Sequence, residues 1–303
     1  MRDAREEYWM LRERHADKPL GKKQAVRALV ESILSSRHGR GLHRLRGIEL
    51  GCGQGCLLQG IVSALAERTE NLDLWGLDRD RLALEIASRD IPCASFVVGD
   101  LRGNWQGGIG GFDFILIANV LHEVVSESML ENCGQEAGWA RSRAMSEISG
   151  IVGKCRRLLG RDGILAVFDG VDCHPDSPLT FRFGTCQGIE LLQRFSEEYS
   201  FVHGKCFETD GCGNVRMGRR NLLRFLTKIP SLTDGTWEIE RKEVYPAFFP
   251  EEIKHMLLAS GFSLLHRSLS ISDIEVWRSH ILPSAPDFEF PFQHCLFVGR
   301  RND

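Results

Sequence analysis

The sequence predicts an α/β protein whose doubly wound, mostly parallel sheet has helices on both faces. Between Gly47 and Val171, short apolar runs such as LDLWGL and FDFILIANV alternate with stretches whose apolar residues recur at helical spacing. This alternation is typical of parallel strands joined by crossover helices. The apolar runs are continuous in Val, Ile, Leu and Phe, which indicates strands that are covered on both faces.

The length and composition are those of an ordinary globular protein, with 303 residues, 43% hydrophobic and 26% charged. They exclude the disordered, fibrous and membrane-embedded classes. The formal charge of -3 argues against a surface built wholly for nucleic acid. The longest apolar run, from Phe112 to Leu121, is too short to cross a hydrocarbon core of about 30 Å, so no membrane span is expected.

The N-terminal sequence and the cysteines bear on location. The first 20 residues lack the uninterrupted apolar stretch of a signal peptide. The ten cysteines form no CxxC pair, and in a chain that is not exported they are expected to be thiols. We therefore expect a cytoplasmic protein.

Residues 1–46 are predicted to form a helical arm. Apolar residues between Ala25 and Leu34 recur at helical spacing. Between Arg12 and Arg46, 10 Lys or Arg stand against 3 Asp or Glu, a local charge of +7 that leaves the remainder near -10. Such a charge is typical of a solvated helix face, and it would equally attract an anionic substrate or a nucleic acid.

An irregular, aromatic-rich stretch from 172 to 249 interrupts the alternating pattern. It is followed by a helix predicted to begin at Pro250 and end at Gly261, and then by strand-like runs. Because connections in compact domains usually take about 2 to 6 residues, this stretch is expected to be an inserted functional unit that acts as a substrate lid. The protein would then comprise the arm, 1–46, and one domain, 47–303, that carries the insertion.

The segment IELGCGQG places Gly51, Gly53 and Gly55 between a strand and a helix. Glycines there let the backbone pass close to a ligand at the carboxyl edge of a parallel sheet. A dinucleotide fingerprint would need a further glycine where Cys56 stands. Glu49, just before the turn, suits a cationic ligand and would repel a pyrophosphate.

These residues resemble the first motif of the class I, Rossmann-like methyltransferases that use S-adenosylmethionine (SAM), an acidic residue followed by GxGxG. Further segments match that family in the expected order: GLD, VVGDL, FDFILIANVLHEV and LLGRDGILAVFD. The resemblance covers Gly47 to Val171 and, more weakly, Pro250 to Gly299. It implies a seven-stranded sheet, SAM as the cofactor and transfer of a methyl group by in-line displacement.

The resemblance also implies a cofactor site at the carboxyl edge of the sheet. Asp78 would accept hydrogen bonds from two ribose hydroxyls, Asp100 would bind the adenine amine, and the backbone of Leu101 would meet the ring. Asn119 would contact the methionine moiety or shape the pocket. The predicted cofactor-binding residues are Glu49, Gly51, Cys52, Gly53, Gly55, Asp78, Arg79, Asp100, Leu101 and Asn119.

A catalytic base is needed only if the methyl acceptor must lose a proton early, because the sulfonium is already activated. His122 is the candidate base, since it follows the fourth strand of the predicted sheet and can titrate near neutral pH. Its neighbour Glu123 is predicted to orient it or to bind substrate. The alternative is that both belong to the wall of the cofactor site and a helix start, with Asp169 behind them.

Aromatic residues of the arm and insertion are candidates for an acceptor pocket. The alternative for those of the insertion is that they form its own small core. Histidines and cysteines of the insertion, from Cys173 to Cys212, raise the question of a structural zinc site. Such sites usually have close pairs with two to four intervening residues, and the nearest here is His203 with Cys206, so no metal is expected. The predicted substrate-binding residues are Tyr8, Phe181, Phe183, Trp237 and Tyr245.

The function these features indicate is SAM-dependent methylation of an oxygen, nitrogen or carbon on a small-molecule metabolite. One alternative is an RNA or protein methyltransferase that uses the basic N-terminal segment. Nucleic acid is not favoured, because the turn from Asn119 to His122 lacks the N/D-P-P-Y sequence of enzymes that methylate base amines. The other alternative is a member that binds the cofactor without turnover.

Overall fold

The computed structural model describes residues 20–36, 44–69, 71–105, 109–132, 137–172, 176–202, 204–210, 212–284 and 288–303. The described residues fall into two compact units. The first unit comprises those of Met1–Asp169, Glu251–Ser268 and Cys295–Asp303, and the second comprises those of Gly170–Pro250 and Leu269–His294. The second unit thus takes in a further stretch, 269–294, that the sequence pattern places in the main domain. The prediction for Tyr8 lies outside the described residues.

Helices and strands alternate through the first half of the chain. The elements up to the end of the fifth strand are α1 (Leu20–Ser36), β1 (Arg44–Leu50), α2 (Cys56–Leu65), β2 (Asn71–Asp78), α3 (Arg81–Asp90), β3 (Ala94–Val98), β4 (Phe112–Ala118), α4 (Leu121–Glu131), α5 (Ala137–Leu158) and β5 (Leu159–Gly170).

Shorter elements follow, and the chain then returns to the first sheet. They are β6 (Pro178–Phe183), α6 (Gln187–Glu198), β7 (Phe207–Thr209), β8 (Val215–Gly218), α7 (Arg219–Asp234), α8 (Trp237–Glu240), α9 (Pro250–Ala259), β9 (Phe262–Ser270), α10 (Ile274–His280), β10 (Ile281–Pro283) and β11 (His294–Arg301).

The main sheet has seven strands in the order β3-β2-β1-β4-β5-β11-β9. The pairs β1–β2, β1–β4, β2–β3 and β4–β5 are parallel, and one edge of the sheet is antiparallel. The predicted α/β class and the mostly parallel seven-stranded sheet are confirmed. The strand order reverses between β1 and β4, and ligands of such sheets bind outside the carboxyl ends of the strands at that point.

Continuous apolar runs form the middle of this sheet, as the sequence predicts. In β4, the run from Phe114 to Ile117 is completely buried, which requires cover on both faces. Gly47 of β1 allows this packing, since a Cβ at that position would overlap the ring of Phe114. Helices α1 and α2 contribute Leu29, Ile33 and other residues to the same hydrophobic cluster.

The second unit has its own sheet and its own core. Its strands follow the order β10-β6-β8-β7, and the pairs β6–β8, β7–β8 and β6–β10 are antiparallel. Phe181, Phe195, Phe225 and Trp277 are among the residues of its buried cluster. Across both units, no helix in the described ranges is long and apolar enough to span a membrane.

Candidate functional site

The turn between β1 and α2 is built by glycines in the left-handed region, with φ of 74° at Gly51, 51° at Gly53 and 77° at Gly55. The amides of Gly51 and Cys52 donate to the carbonyl of Leu77 over 2.8 and 3.0 Å, so the turn is fixed to the neighbouring strand β2. L-residues with side chains rarely adopt such dihedrals, which explains the glycine at each position.

Two of these glycines also leave no room for a larger residue. A Cβ at Gly51 would lie 2.6 Å from Cγ2 of Val120, which follows β4. A Cβ at Gly55 would lie 2.7 Å from Cδ1 of Ile91. At Gly51 the turn therefore packs against Val120, just after the carboxyl end of β4, where the strand order reverses.

Asp78, the predicted ribose-binding residue, ends β2 beside the glycine turn. Its Oδ2 accepts a hydrogen bond of 2.7 Å from the Gly53 amide, and its Oδ1 accepts one of 2.9 Å from the Asp80 amide. Asp80 in turn caps α3 by accepting from Leu82 and Ala83. Since each carboxylate oxygen has two lone pairs, Asp78 keeps the capacity to bind hydroxyl groups while it is held in place.

Carboxylates give the part of the site beside the glycine turn a negative electrostatic potential. Glu49 is 2% exposed and lies in register with Gly76 on β2 and Leu116 on β4. Burial raises the pKa of the Cys52 thiol well above its ordinary value, and the nearby carboxylates of Glu49 and Asp78 raise it further. Burial alone disfavours any charge, so it is the carboxylates of Glu49 and Asp78 that would favour a cationic ligand here.

Asn119 closes the edge at the end of β4. It is a non-glycine residue in the left-handed region, with φ of 52°, and its amide donates to the Phe168 carbonyl over 2.8 Å. Its Oδ1 is buried and has no hydrogen-bond partner among the described residues. An orphaned acceptor of this kind costs about 1 to 3 kcal/mol, and an amino group of a bound ligand would satisfy it.

His122 forms a buried pair with Asp169, which lies near the end of β5. Nδ1 of His122 is 2.8 Å from Oδ1 of Asp169, and Oδ2 accepts from the amides of Leu121 and His122 over 2.9 and 3.3 Å. Asp169 is completely buried and His122 is 5% exposed. The amides at the start of α4 stabilise this carboxylate, and an ionised Asp169 can accept a hydrogen bond from Nδ1 of His122.

Glu123 of α4 pairs with Arg79, which directly follows β2. Its Oε2 lies 3.4 Å from Nη2 of Arg79, and Arg79 also pairs with Glu127. Since successive side chains of a helix point in different directions, Glu123 and its neighbour His122 have different charged partners. The carboxylate that contacts Nδ1 of His122, and so orients its ring, is that of Asp169.

Asp100, the predicted adenine-binding residue, follows β3 and is tied to Arg102. Its Oδ1 accepts from the Arg102 amide at 2.7 Å, and its Oδ2 lies 3.0 Å from Nη2 of the same residue. The hydrogen bonds from the Arg102 side chain lower the pKa of Asp100 below its ordinary value. Arg102 also reaches Glu127 of α4, with 2.8 Å between Nη2 and Oε2.

The predicted substrate-binding aromatics fall into two groups. Phe181 and Trp237 are buried in the cluster of the second unit, which fits the alternative that they form its core. Phe183 is half-buried and packs edge-on against Phe181, with 5.4 Å between ring centroids. Tyr245 is also half-buried, and its ring lies 6.0 Å from that of His294.

The sequence suggests Asp169 behind His122 and Glu123, but it predicts neither the contact between His122 Nδ1 and Asp169 Oδ1 nor the role of Arg102. The pair of His122 and Asp169 joins residues 47 positions apart, so no spacing reveals it. The signal was topological, because both follow or end adjacent parallel strands. Arg102 was missed as well, although an acid followed two residues later by an arginine in a turn is a recognisable local pattern.

No family model and no curated protein matches this chain. Solved structures do. The protein solved in complex with the Haloferax volcanii Trm112 methyltransferase activator is 12% identical, with a TM-score of 0.51 over 98% of this chain and 95% of that chain. SAM-bound CalS10, an amino pentose methyltransferase from Micromonospora echinaspora, is 13% identical, with a TM-score of 0.47 over 97% and 96%.

A third structure is an S-adenosylmethionine-dependent methyltransferase from Clostridium acetobutylicum ATCC 824. It is 10% identical, with a TM-score of 0.46 over 91% of both chains. The protein in the first of these structures is described as a putative methyltransferase, and its match over nearly the whole of both chains shows a shared fold, the class I, Rossmann-like fold.

Proposed function

We propose that this protein is a SAM-dependent methyltransferase that moves a methyl group to an oxygen, nitrogen or carbon of a small-molecule metabolite. The observation that carries the proposal is the glycine turn, whose central amide at Gly53 is held by the carboxylate of Asp78 at 2.7 Å. That bond places an acid able to bind hydroxyls beside a backbone that only glycine can form. Both lie where a ligand of a doubly wound sheet binds.

The residues at this edge fit SAM by their chemistry. When bound, the cofactor supplies an activated methyl group on a cationic sulfur. Asp78 would bind the ribose hydroxyls, Asp100 the adenine amine, and the orphaned Oδ1 of Asn119 the ammonium group of the methionine moiety. The buried carboxylate of Glu49 adds the negative potential that a cationic ligand requires.

His122 is proposed as the general base for an acceptor that must lose a proton. Its Nε2 would take the proton, and Asp169 would stabilise the resulting imidazolium through the 2.8 Å contact with Nδ1. A buried carboxylate that orients a histidine in this way is the arrangement general-base catalysis needs. Glu123 would act with Arg79 in shaping the wall of the site.

We also propose that residues of the second unit select the methyl acceptor. Its half-buried rings, Phe183 and Tyr245, are its candidates for acceptor contact, and Tyr8 of the N-terminal arm remains a further prediction. A cytoplasmic setting is part of the proposal, because the ten cysteines form no CxxC pair and are expected to be thiols.

Calorimetric titration with SAM tests the assignment. We expect the wild type to bind SAM and Asp78→Ala to bind it about 10 to 100 times more weakly, because a hydrogen bond to a charged group is worth about 1.5 to 3 kcal/mol. Asp90→Ala, at an exposed aspartate that ends α3, is the matched control and should keep wild-type affinity. Wild-type affinity in Asp78→Ala would refute the site.

Turnover separates the catalytic proposal from its alternatives. Product formation with a panel of small acceptors supports the proposal, and SAM binding without any product favours the non-catalytic alternative. RNA binding that weakens steeply with salt, together with RNA methylation, would favour the nucleic-acid alternative.

A further inference from the structure

We infer that Lys154, on α5, positions the loop that carries Asp100 and Leu101, and so sets the recognition of the adenine ring. The inference rests on the proposed function, because it concerns the adenine side of the same SAM site. Lys154 lies more than 50 positions away from this loop in the sequence.

The geometry is a clamp on three consecutive carbonyls. The Nζ of Lys154 donates to the carbonyl oxygens of Leu101, Arg102 and Gly103 over 3.2, 2.7 and 2.9 Å. An ammonium group has three donors, so all of them are used here. Three carbonyls that converge on one cation fix the path of the loop backbone far more tightly than a single hydrogen bond would.

The loop needs such support because of its place in the sheet. It follows β3, which is an edge strand and pairs with β2. No further strand covers the outer side of an edge strand, so the loop after it has fewer fixed neighbours than the loops after β1 or β4. The cation from α5 supplies a fixed point from a long helix.

The clamp extends from the backbone to the carboxylate of Asp100. The Gly103 amide donates to the Asp100 carbonyl over 2.9 Å, which closes the turn. The amide of Arg102 donates to Oδ1 of Asp100 over 2.7 Å, so the orientation of the carboxylate depends on the orientation of this peptide. Lys154 therefore acts on the ligand through the loop and is a positioning residue.

The charge of Lys154 agrees with this role. Burial lowers the pKa of Lys154 below its ordinary value, and the nearby Arg157 lowers it further. A cation kept in this surrounding needs compensating dipoles, and the three carbonyls provide them. The cost of burying the ammonium group is thus offset only when the loop is in place.

The test compares two ligands that differ at the adenine amine. We measure the affinities of S-adenosylhomocysteine and S-inosylhomocysteine, in which a carbonyl replaces that amine, by calorimetry on the full chain. The wild type should prefer the adenine form by about 10-fold or more, the worth of a hydrogen bond to a carboxylate. In Lys154→Met the preference should fall by about threefold or more, since a misplaced carboxylate distinguishes the two rings less well.

Arg143→Met is the matched control, because it removes one positive charge from an exposed position on the same helix and should keep the wild-type preference. A general loss of structure would weaken both ligands equally and leave their ratio unchanged. Where Lys154→Met is too unstable for titration, Lys154→Gln is used instead. It keeps one donor group, so it should lower the preference for the adenine form by a smaller factor.

The outcomes separate the inference from the proposed function. If the wild type binds neither ligand, the proposed function fails and the inference with it. If the wild type prefers the adenine form and the Lys154 variants keep the full preference, the inference alone is overturned.

Discussion

Gly51 is the single position where the backbone requirement of the site is most severe. It combines a φ of 74° with a neighbour so close that an added Cβ would lie only 2.6 Å from the Val120 side chain. We expect Gly51→Ala to lower the free energy of unfolding by about 1 to 3 kcal/mol and to weaken SAM binding, because the turn must move to admit a methyl group. Chemical denaturation and SAM titration measure the two effects.

Gly150 provides the control for this substitution. It lies in α5, it is exposed, and a Cβ added there would have no other atom within 4 Å outside its own helix backbone and chain neighbours. Gly150→Ala should stabilise the protein by roughly 0.5 to 1 kcal/mol, the difference in helix propensity. Equal effects of the two substitutions would contradict the close approach between the glycine turn and Val120.

His122 is the residue whose role depends most on chemistry rather than on packing. We expect His122→Ala to reduce the rate of methyl transfer about 10- to 100-fold while SAM affinity stays within about twofold, because a base contributes to the reaction step and not to cofactor binding. Asp169→Asn should reduce turnover in the same direction, since it loses the carboxylate that holds Nδ1. Turnover is followed as the release of S-adenosylhomocysteine with an accepted substrate.

The control for the histidine is His255→Ala, at an exposed position of α9. It should keep full turnover. If His122→Ala also keeps full turnover, the base is removed from the mechanism and His122 belongs to the wall of the cofactor site.

Helices α7 and α8 of the second unit are joined by a buried ion pair. Lys228 Nζ lies 2.6 Å from Oε2 of Glu240 and 3.7 Å from Oε2 of Glu243, and the lysine side chain is 3% exposed. Burial alone would lower the pKa of Lys228, but the two carboxylates raise it above its ordinary value. The lysine therefore remains charged, and its role is to neutralise two acids inside the unit.

Removing the charge of Lys228 should lower the stability of the protein strongly. We expect Lys228→Met to lower the free energy of unfolding by about 3 to 5 kcal/mol, because buried carboxylates lose their partner. Adding Glu240→Leu to that variant should recover part of the loss. Lys254→Met, which breaks an exposed pair with Glu251, should change stability by less than about 1 kcal/mol. Urea denaturation checks all three, and equal costs for the two lysines would contradict a buried pair.

The elements that the sequence predicts well are those with strong local patterns. The continuous apolar runs of β1, β2 and β4 specify buried strands, and Pro250 begins α9 as predicted. The strands of the second unit are harder to predict from the sequence. For example, β10 has only three residues, and its Ile281 pairs with Phe183 of β6. A pairing across about a hundred positions leaves no periodic signal, so the extension of this unit into 269–294 was not predicted.

The same distinction applies to the candidate site. The glycine turn and the acids at the ends of β2 and β3 are local features that the sequence displays directly. The residues that hold the site come from other elements: Asp169 of β5 contacts His122, Glu127 of α4 pairs with Arg102, and Lys154 of α5 binds the loop after β3. Only the fold brings these residues together, so the sequence suggests Asp169 behind His122 but does not predict the roles of Glu127 and Lys154.

Two hydrophobic clusters among the described residues lie in different units of the protein. One cluster covers the main sheet and includes Phe114, and the other fills the second unit and includes Phe195. Both rings are completely buried, and no residue of one cluster belongs to the other. Each unit therefore has its own source of hydrophobic stabilisation.

This division predicts different consequences for two similar cavity-forming substitutions. Phe195→Ala and Phe114→Ala should each lower the free energy of unfolding of their unit by about 3 to 5 kcal/mol, because each removes a buried ring. Phe114→Ala should also weaken SAM binding, since β4 ends beside the glycine turn. Phe195→Ala should keep SAM affinity within about twofold, because its ring packs in the core of the second unit, on Tyr199 and Phe225 at 4.9 and 5.5 Å between ring centroids. Calorimetric titration with SAM at a temperature where both variants are folded makes the comparison, and an equal loss of affinity in the two would contradict separate cores.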